Sequence, residues 1–262
     1  MCGIVGMVKQ DGENPAMLID NMLTAIRHRG PDDTGNFIEY IGNVGWVALG
    51  HNRLSIIDLS ERGHQPMISP DGRYVLVYNG EVYNYLEIAN ELGQDQILDI
   101  SASDTSVVMA ALIRWGTDAF KHFNGMWALA LFDRVNKTLL LSRDRMGVKP
   151  LYIYQNEKQI LFASEIKSIL IGCDKRFRVC PTVAARYLIQ SITDAQQETF
   201  FSGIFQFPAA NYAFIDLKDQ LNKPISYHKF WRHPYEQESY NFRASPSPDD
   251  IREIFIDAVR LR

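Results

Sequence analysis

The chain opens with Met1-Cys2-Gly3-Ile4-Val5-Gly6-Met7-Val8, and this stretch decides the fold. Residues 2–8 are small, apolar and β-branched, which predicts a buried first strand. Cys2 becomes the first residue when Met1 is trimmed, and one residue then carries both a thiol and the α-amine. An α-amine has a pKa of ~7.7–8.0 and a free thiol of ~8.5, so the amine could act as the base for its own thiol. Because a cysteine at this position is more often an ordinary core thiol, catalysis must be argued from the rest of the chain.

Alternating helix and strand patterns follow this first strand. Apolar residues at helical spacing predict helices over residues 16–27, 81–92 and 105–115, with a further helix over 182–189. Apolar and β-branched runs predict strands over residues 44–49, 74–78, 127–132, 138–141, 151–154 and 160–162. Two groups of strands with intervening helices indicate a layered α/β or α+β domain.

The end of the sequence predicts one more helix. Ser247-Pro248-Asp249-Asp250 combines a capping serine, a proline in the first turn and acidic residues near the positive end of the helix dipole. An apolar stripe follows over residues 251–259. We expect this stripe to pack against a C-terminal domain that lies beyond Arg262, although a terminal helix packed on its own domain is the alternative.

The composition excludes several classes of protein. The chain has 262 residues, of which 46% are hydrophobic, and a net charge of −4, whereas nucleic-acid-binding domains are usually basic. No apolar run reaches the ~20 residues that span a bilayer, and the short apolar start does not resemble a signal peptide. Cys2, Cys173 and Cys180 are too few for a disulfide framework. We therefore expect a cytoplasmic protein that binds neither nucleic acid nor membrane, with Cys173 and Cys180 as free thiols.

Three further positions could serve an amide hydrolase that acts on an amino acid. Asn79-Gly80 follows a predicted strand, where a side-chain amide and a backbone N–H could form an oxyanion hole. Arg53 could bind an α-carboxylate with two parallel hydrogen bonds. Asp104, at a predicted helix start, could accept an α-ammonium group. Each also has a plain interpretation, which is a turn for Asn79-Gly80, a solvated charge for Arg53 and a helix cap for Asp104.

Taken together, these segments resemble the class II glutamine amidotransferases, and within them the glutamine-hydrolysing asparagine synthetases. The similarity is dense from residue 2 to about residue 170. Eight motifs occur in the family's order, and the RGPDD and RLSIID strings favour the asparagine-synthetase branch. The motifs are CGIVG (2–6), RHRGPDD (27–33), GHNRLSIIDLS with GHQPM (50–67), VYNGEVYNY (77–85), SDT (103–105), FNGMWALALFD (123–133), SRDRMGVKPLY (142–152) and LFASEIKSIL (161–170).

The resemblance implies the N-terminal-nucleophile hydrolase fold, an α+β, four-layer αββα sandwich of two antiparallel sheets. It implies that Cys2 is the nucleophile and that Asn79 and Gly80 form the oxyanion hole. It also implies that Arg53 and Asp104 bind the carboxylate and the ammonium group of L-glutamine. The remaining residues expected to line the glutamine pocket are Leu54, Ile56, Ile57 and Glu81.

The resemblance further implies a domain over residues 2–215, followed by a linker and the first helix of an asparagine-synthetase-type domain over residues 216–262. No Ser-Gly-Gly-type phosphate loop occurs in the sequence, so ATP and Mg²⁺ are expected only in that further domain. His28, His51 and His64 lack metal-ligand spacing, and no cofactor or metal is expected in this chain.

The implied activity is a glutaminase that supplies ammonia for ATP-dependent synthesis of asparagine from aspartate. Residues 208–212 depart from the family pattern beside the second domain, which leaves another carboxylate, such as a sugar acid of a surface polysaccharide, open as the acceptor. A glutamine-sensing domain without catalysis is the alternative from another class, and retention of Met1 would favour it. A homodimer is compatible with the family but is not indicated by any residue.

Overall fold

The computed structural model describes residues 1–10, 12–55, 63–93, 103–173, 175–193, 196–218, 221, 223–233, 236 and 246–261. Within these residues the strands form two six-stranded antiparallel sheets. The first sheet contains, in spatial order, β10 (Ile204–Gln206), β8 (Tyr152–Gln155), β9 (Gln159–Ala163), β1 (Gly3–Lys9), β3 (Gly45–Arg53) and β2 (Asp33–Ile41). The second contains β12 (His228–Lys229), β11 (Asn211–Asp216), β7 (Thr138–Arg143), β6 (Gly125–Asp133), β5 (Tyr74–Val82) and β4 (Met67–Ile68).

Helices cover the outer faces of both sheets. The helices are α1 (Ala16–Ala25), α2 (Tyr85–Leu92), α3 (Asp104–Trp115), α4 (Ala119–His122), α5 (Ile166–Gly172), α6 (Pro181–Gln190) and α7 (Pro248–Arg260). Apolar residues of α1 and α5 pack on the first sheet, whereas α2, α3 and α4 pack on the second. A third apolar cluster fills the space between the two sheets. The layers are therefore helix, sheet, sheet, helix, as the predicted αββα sandwich requires.

Strand β1 lies in the interior of the first sheet and fixes the position of the N-terminus. It pairs with β3 on one side and with β9 on the other. At its start, the Ile4 N–H donates to Ser164 Oγ (3.0 Å), and the Ser164 N–H donates to the Ile4 carbonyl (2.8 Å). Cys2 therefore enters a fully paired strand rather than a free terminus.

Two sequence predictions were wrong in their boundaries. A helix over residues 81–92 was expected, but Glu81 and Val82 end β5, which pairs with β6 along its whole length, and α2 begins only at Tyr85. The strand expected over residues 44–49 extends through Arg53, because its second half pairs with both β1 and β2. Both errors arise because sheet pairing between distant segments overrides the local pattern.

The predicted C-terminal helix is present as α7 and begins with a reciprocal cap. The Asp250 N–H donates to Ser247 Oγ (3.1 Å), and the Ser247 N–H donates to Asp250 Oδ2 (2.8 Å). The apolar stripe is solvent-exposed, because Ile254 and Phe255 are 69% and 67% exposed. The division between residues 2–215 and 216–262 stays a prediction.

Two smaller findings bear on the sequence analysis. Cys173, which is buried, and Cys180, which is half-buried, do not form a disulfide, as predicted. Among the described residues, no helix combines the length and the apolar character needed to cross a membrane.

Candidate active site

The site forms where the apolar layer between the two sheets gives way to polar side chains. Because side chains alternate along a strand, Val47 and Leu49 of β3 and Val75 and Val77 of β5 face this layer together. Two residues further along each strand the same rows continue with polar groups. These are His51 and Arg53 on β3, and Asn79 and Glu81 on β5.

A cavity of about 610 Å³ opens at this end of the sandwich. It contains most of the residues expected from the sequence, although they come from four separate segments. Ile56 and Ile57 lie outside the described residues. Its lining includes Cys2, Arg53, Leu54, Asn79, Gly80, Glu81 and Asp104.

Hydrogen bonds hold both the main-chain carbonyl and the side chain of Cys2. Its carbonyl oxygen accepts a hydrogen bond from Arg29 Nε (3.0 Å), and its sulfur accepts one from the Leu54 N–H (3.4 Å). A second nitrogen of Arg29 is paired with Glu165 Oε1 at 3.0 Å, which fixes the guanidinium. The thiol is therefore positioned at the cavity wall by two contacts from different segments.

The α-amine of Met1 has a pKa below its ordinary value. Partial burial is the main cause, because it disfavours the charged form, and the cations Arg29 and Lys149 add repulsion. The thiol of Cys2 acts in the opposite direction by favouring the ammonium form. The surroundings of the chain terminus therefore disfavour an ammonium group, and removal of Met1 would leave the α-amine on Cys2.

Asn79 carries a hydrogen-bond donor without a partner. Its side chain is only 1% exposed, yet Nδ2 forms no hydrogen bond with any residue that the structure describes. Buried donors are almost always satisfied, and an unsatisfied one costs about 1–3 kcal/mol. Asn79 also lines the cavity, and an unused amide donor beside a cavity is what an oxyanion hole requires.

Gly80 follows Asn79 in the interior of β5 rather than in a turn. A Cβ atom at this position would lie 2.5 Å from the Met126 carbonyl oxygen and 2.5 Å from the Tyr78 ring. Neither atom is the end of a flexible side chain. Only glycine therefore fits between β5 and β6 here.

Asp104 is half-buried at the first turn of α3, and it does not cap the helix. Its Oδ2 accepts hydrogen bonds from the Tyr78 hydroxyl (2.9 Å) and from the Val82 N–H (3.2 Å). Burial raises the pKa of this carboxyl above its ordinary value, although both hydrogen bonds oppose the shift. A cationic ligand in the cavity would stabilise the carboxylate by direct pairing.

Arg53 ends β3 and is 9% exposed, so the solvated-charge interpretation is wrong. Its guanidinium packs on Gly63, where a Cβ atom would fall 2.0 Å from an Arg53 terminal nitrogen. The close approach of Gly63 leaves room for the guanidinium at the cavity wall. Its planar group can hold a carboxylate through two parallel hydrogen bonds.

His51 is a buried neutral imidazole beneath the site. It is 1% exposed, and burial lowers its pKa to about 3, so it carries no charge at neutral pH. Among the described residues, no group of three His, Cys, Asp or Glu side chains could hold a metal ion.

A larger cavity of about 810 Å³ lies beside the strand β10. Among the described residues that line it, none is a cysteine, serine or threonine, so it lacks a candidate nucleophile. It is lined instead by Arg143, Gly147, three glutamines of residues 196–206 and the segment 207–209. The cavity that contains Cys2 is therefore the candidate active site.

Four residues of the site were not predicted from the sequence. Arg29 anchors Cys2, Tyr78 binds Asp104, Lys149 lines the cavity, and Gln65 accepts the Tyr78 N–H at 2.6 Å. Each acts across a long sequence separation, and no local spacing signals such contacts.

The sequence of this chain is similar to those of known proteins. A family model described as a glutamine amidotransferase domain matches residues 1–231. The chain belongs to this family. The predicted resemblance is thereby confirmed.

Several relatives in sequence are named glutamine-hydrolysing asparagine synthetases. The chain is 32% identical over its full length to a putative glutamine-hydrolysing asparagine synthetase 2 of Methanocaldococcus jannaschii, of which it spans 52%. It is 33% identical over 99% of its length to a glutamine-hydrolysing asparagine synthetase 3 of Bacillus subtilis, of which it spans 41%. Across 100% of its length it is 30% identical to a protein of Gibberella zeae named amidase chry2, of which it spans 39%. The chain thus spans about half or less of these relatives.

Solved structures confirm the fold. The glutamine phosphoribosylpyrophosphate amidotransferase of B. subtilis superposes with a TM-score of 0.62 at 15% identity, over 88% of this chain and 50% of that one. A structure described as the allosteric regulatory enzyme of purine biosynthesis gives 0.63 at 16% identity, with the same coverage. At this identity the similarity concerns the fold alone.

Proposed function

We propose that this glutamine amidotransferase domain hydrolyses the side-chain amide of L-glutamine to glutamate and ammonia, once Met1 has been removed. The observation that carries the proposal is the unsatisfied, buried amide nitrogen of Asn79, a residue that lines the cavity containing Cys2. An unsatisfied buried donor opposes folding, and stabilising an oxyanion in the reaction accounts for its presence.

The first half of the proposed reaction forms a thioester. The Cys2 thiol gives its proton to the α-amine of the same residue, and the sulfur attacks the side-chain carbonyl carbon of glutamine. Asn79 Nδ2 and the Gly80 N–H stabilise the oxyanion. When the carbon–nitrogen bond breaks, the α-ammonium returns its proton to the leaving group, and ammonia departs.

The second half releases glutamate. Water gives a proton to the α-amine as its oxygen attacks the thioester carbon, and the same oxyanion donors act again. The carbon–sulfur bond then breaks, the thiolate recovers its proton, and Cys2 is regenerated. Arg53 and Asp104 hold the substrate through its α-carboxylate and α-ammonium group during both halves.

The experiment compares glutamate formation from glutamine by the wild type with that by Cys2→Ala and Cys2→Ser, after intact mass has shown that Met1 is absent. We expect turnover by the wild type and none by Cys2→Ala. Arginine at position 53 also predicts that glutaminamide, which lacks the α-carboxylate, is a poor substrate. Turnover that persists in Cys2→Ala would refute the proposal, whereas folded wild type that lacks Met1 and shows no turnover would favour a glutamine-sensing role.

The acceptor of the ammonia is a separate proposal, which concerns a protein longer than this chain. The asparagine synthetases among the relatives support ATP- and Mg²⁺-dependent amidation of aspartate by a synthetase domain. A relative over the full length of this chain is named amidase chry2 rather than asparagine synthetase, so a different carboxylate is the second candidate acceptor. Incubation of full-length protein with ¹⁵N-amide glutamine, ATP and aspartate distinguishes them, because labelled asparagine forms only in the first case.

A further inference from the structure

A buried lysine on the wall of the glutamine cavity has no part in the mechanism above. Lys149 is 6% exposed and lines the cavity together with Cys2 and Glu81. Its ammonium group forms no hydrogen bond with any residue in the described part of the chain. Lysine is rarely buried unless it is paired, so a lone ammonium group here requires an explanation in the chemistry of the site.

The backbone of Lys149 is held firmly in place. Its N–H donates to Asp144 Oδ2 (2.9 Å), and its carbonyl oxygen accepts from Arg143 Nε (2.8 Å). Asp144 Oδ1 also accepts from the Val148 N–H at 2.9 Å. These hydrogen bonds therefore fix the backbone of Lys149 beside the cavity.

The ionisable groups around Lys149 come from three other segments. Burial lowers the pKa of its ammonium group, while Cys2 and Glu81 oppose that shift by favouring the charged form. Arg29 adds repulsion, and Asp144 of the same turn adds attraction. Lys149 in turn disfavours protonation of the α-amine of Met1, the residue that precedes Cys2. The ammonium group is thus within electrostatic reach of Cys2 and of the start of the chain beside it.

We propose that Lys149 is a positioning residue of the glutaminase reaction. When the Cys2 thiol and the adjacent α-amine are both protonated, the fixed positive charge of Lys149 favours loss of one proton from this pair. This inference rests on the proposed function. A nearby cation makes the doubly protonated pair less favourable, whichever of the two groups releases the proton. The reactive state of Cys2, with one proton on the thiol and amine together, therefore forms at a lower pH than it would in a pocket without a cation.

The test replaces Lys149 with methionine, which keeps the length and removes the charge, and with arginine, which keeps the charge. The exposed Lys158 supplies a matched control, Lys158→Met, with the same change in net charge far from the cavity. We expect the acid limb of the kcat/KM profile for glutamine to move about one pH unit higher in Lys149→Met, the lower end of what a nearby charge produces. Lys149→Arg and Lys158→Met should retain the wild-type midpoint.

A second readout does not depend on turnover. The rate of Cys2 alkylation by iodoacetamide is followed against pH by peptide mass spectrometry, with the half-buried Cys180 as an internal reference. The midpoint for Cys2 should rise in Lys149→Met alone, and that for Cys180 should not change. If the wild type fails to split glutamine, the proposed function fails, and the alkylation midpoints still decide the role of Lys149.

Three outcomes would overturn the inference. An unchanged midpoint in Lys149→Met would show that the charge does not act on Cys2. Equal losses in the methionine and arginine variants, without a shift in pH, would indicate a packing role. A rise in KM alone would assign Lys149 to the binding of glutamine.

Discussion

Asn79 and Asn52 make a matched pair for testing the oxyanion hole. Both are asparagines on central strands and both are 1% exposed. Asn52 is satisfied, because its Nδ2 donates to the Leu23 carbonyl (2.7 Å) and its Oδ1 accepts from Thr34 Oγ1 (2.9 Å). Asn79 Nδ2 has no partner among the described residues. Their alanine variants should therefore fail in opposite ways.

The magnitudes follow from these contacts. In Asn79→Ala, loss of the oxyanion donor should lower kcat about 10²–10³-fold, or ~2.7–4 kcal/mol. Its free energy of unfolding should change by less than about 1 kcal/mol, because relief of the unsatisfied donor offsets the space left behind. Asn52→Ala breaks two hydrogen bonds and strands both partners, so it should lose about 2–4 kcal/mol of stability. Its kcat should stay close to that of the wild type.

The assay measures glutamate formation and urea unfolding on the same preparations of the wild type and both variants. The urea slope should be unchanged, so that midpoints report stability alone. If Asn79→Ala loses as much stability as Asn52→Ala and keeps its kcat, the unsatisfied nitrogen is not an oxyanion donor. Burial of Asn79 Nδ2 without a partner would then have no catalytic role.

Three more substitutions test the rest of the site. Arg53→Lys should raise KM for glutamine about 10- to 100-fold with less effect on kcat, because a lysine cannot hold a carboxylate through two parallel hydrogen bonds; Michaelis kinetics with a kcat loss alone would contradict this. Gly80→Ala should destabilise the fold by about 1–3 kcal/mol and lower kcat, because the new Cβ meets the Met126 carbonyl; a wild-type melting curve would refute it. Asp104→Asn should raise KM. Since burial raises the pKa of Asp104, its ionisation opposes folding, so wild-type stability should fall relative to Asp104→Asn as pH rises from the ordinary carboxyl pKa through the raised value. Parallel stability–pH curves for the two proteins would refute that cause.

Elements with a clear local pattern could be predicted from the sequence, whereas elements that depend on pairing with a distant strand could not. The first strand, α1 and α3 carry clear local patterns, and the structure contains all three. Strand β2 was missed because its side chains are largely half-buried or exposed, so that no apolar run marks it. Its existence depends on nine residue pairs with β3 rather than on its own composition.

The site residues likewise divide into those marked by sequence motifs and those that depend on contacts between distant segments. Family motifs indicated Cys2, Asn79 and Asp104, and the structure brings them to one cavity. Arg29 was missed because its bond to the Cys2 carbonyl joins residues 27 positions apart. Lys149 was missed because the groups around it, Cys2, Arg29 and Glu81, come from segments distant in the sequence. The assigned roles of all these residues stay predictions until the variants are measured.

The central claim is that Cys2 forms a thioester with the glutamyl group of glutamine. The most direct test mixes glutamine with protein that lacks Met1, quenches in acid within the first turnover, and maps the modified peptide by mass spectrometry. The account predicts a mass increase of one glutamyl group on the peptide that begins with Cys2, absent in Cys2→Ala and accumulating when the quench is early. Glutamine turnover without any modification of Cys2 at any quench time, or modification at Cys180 instead, would contradict it.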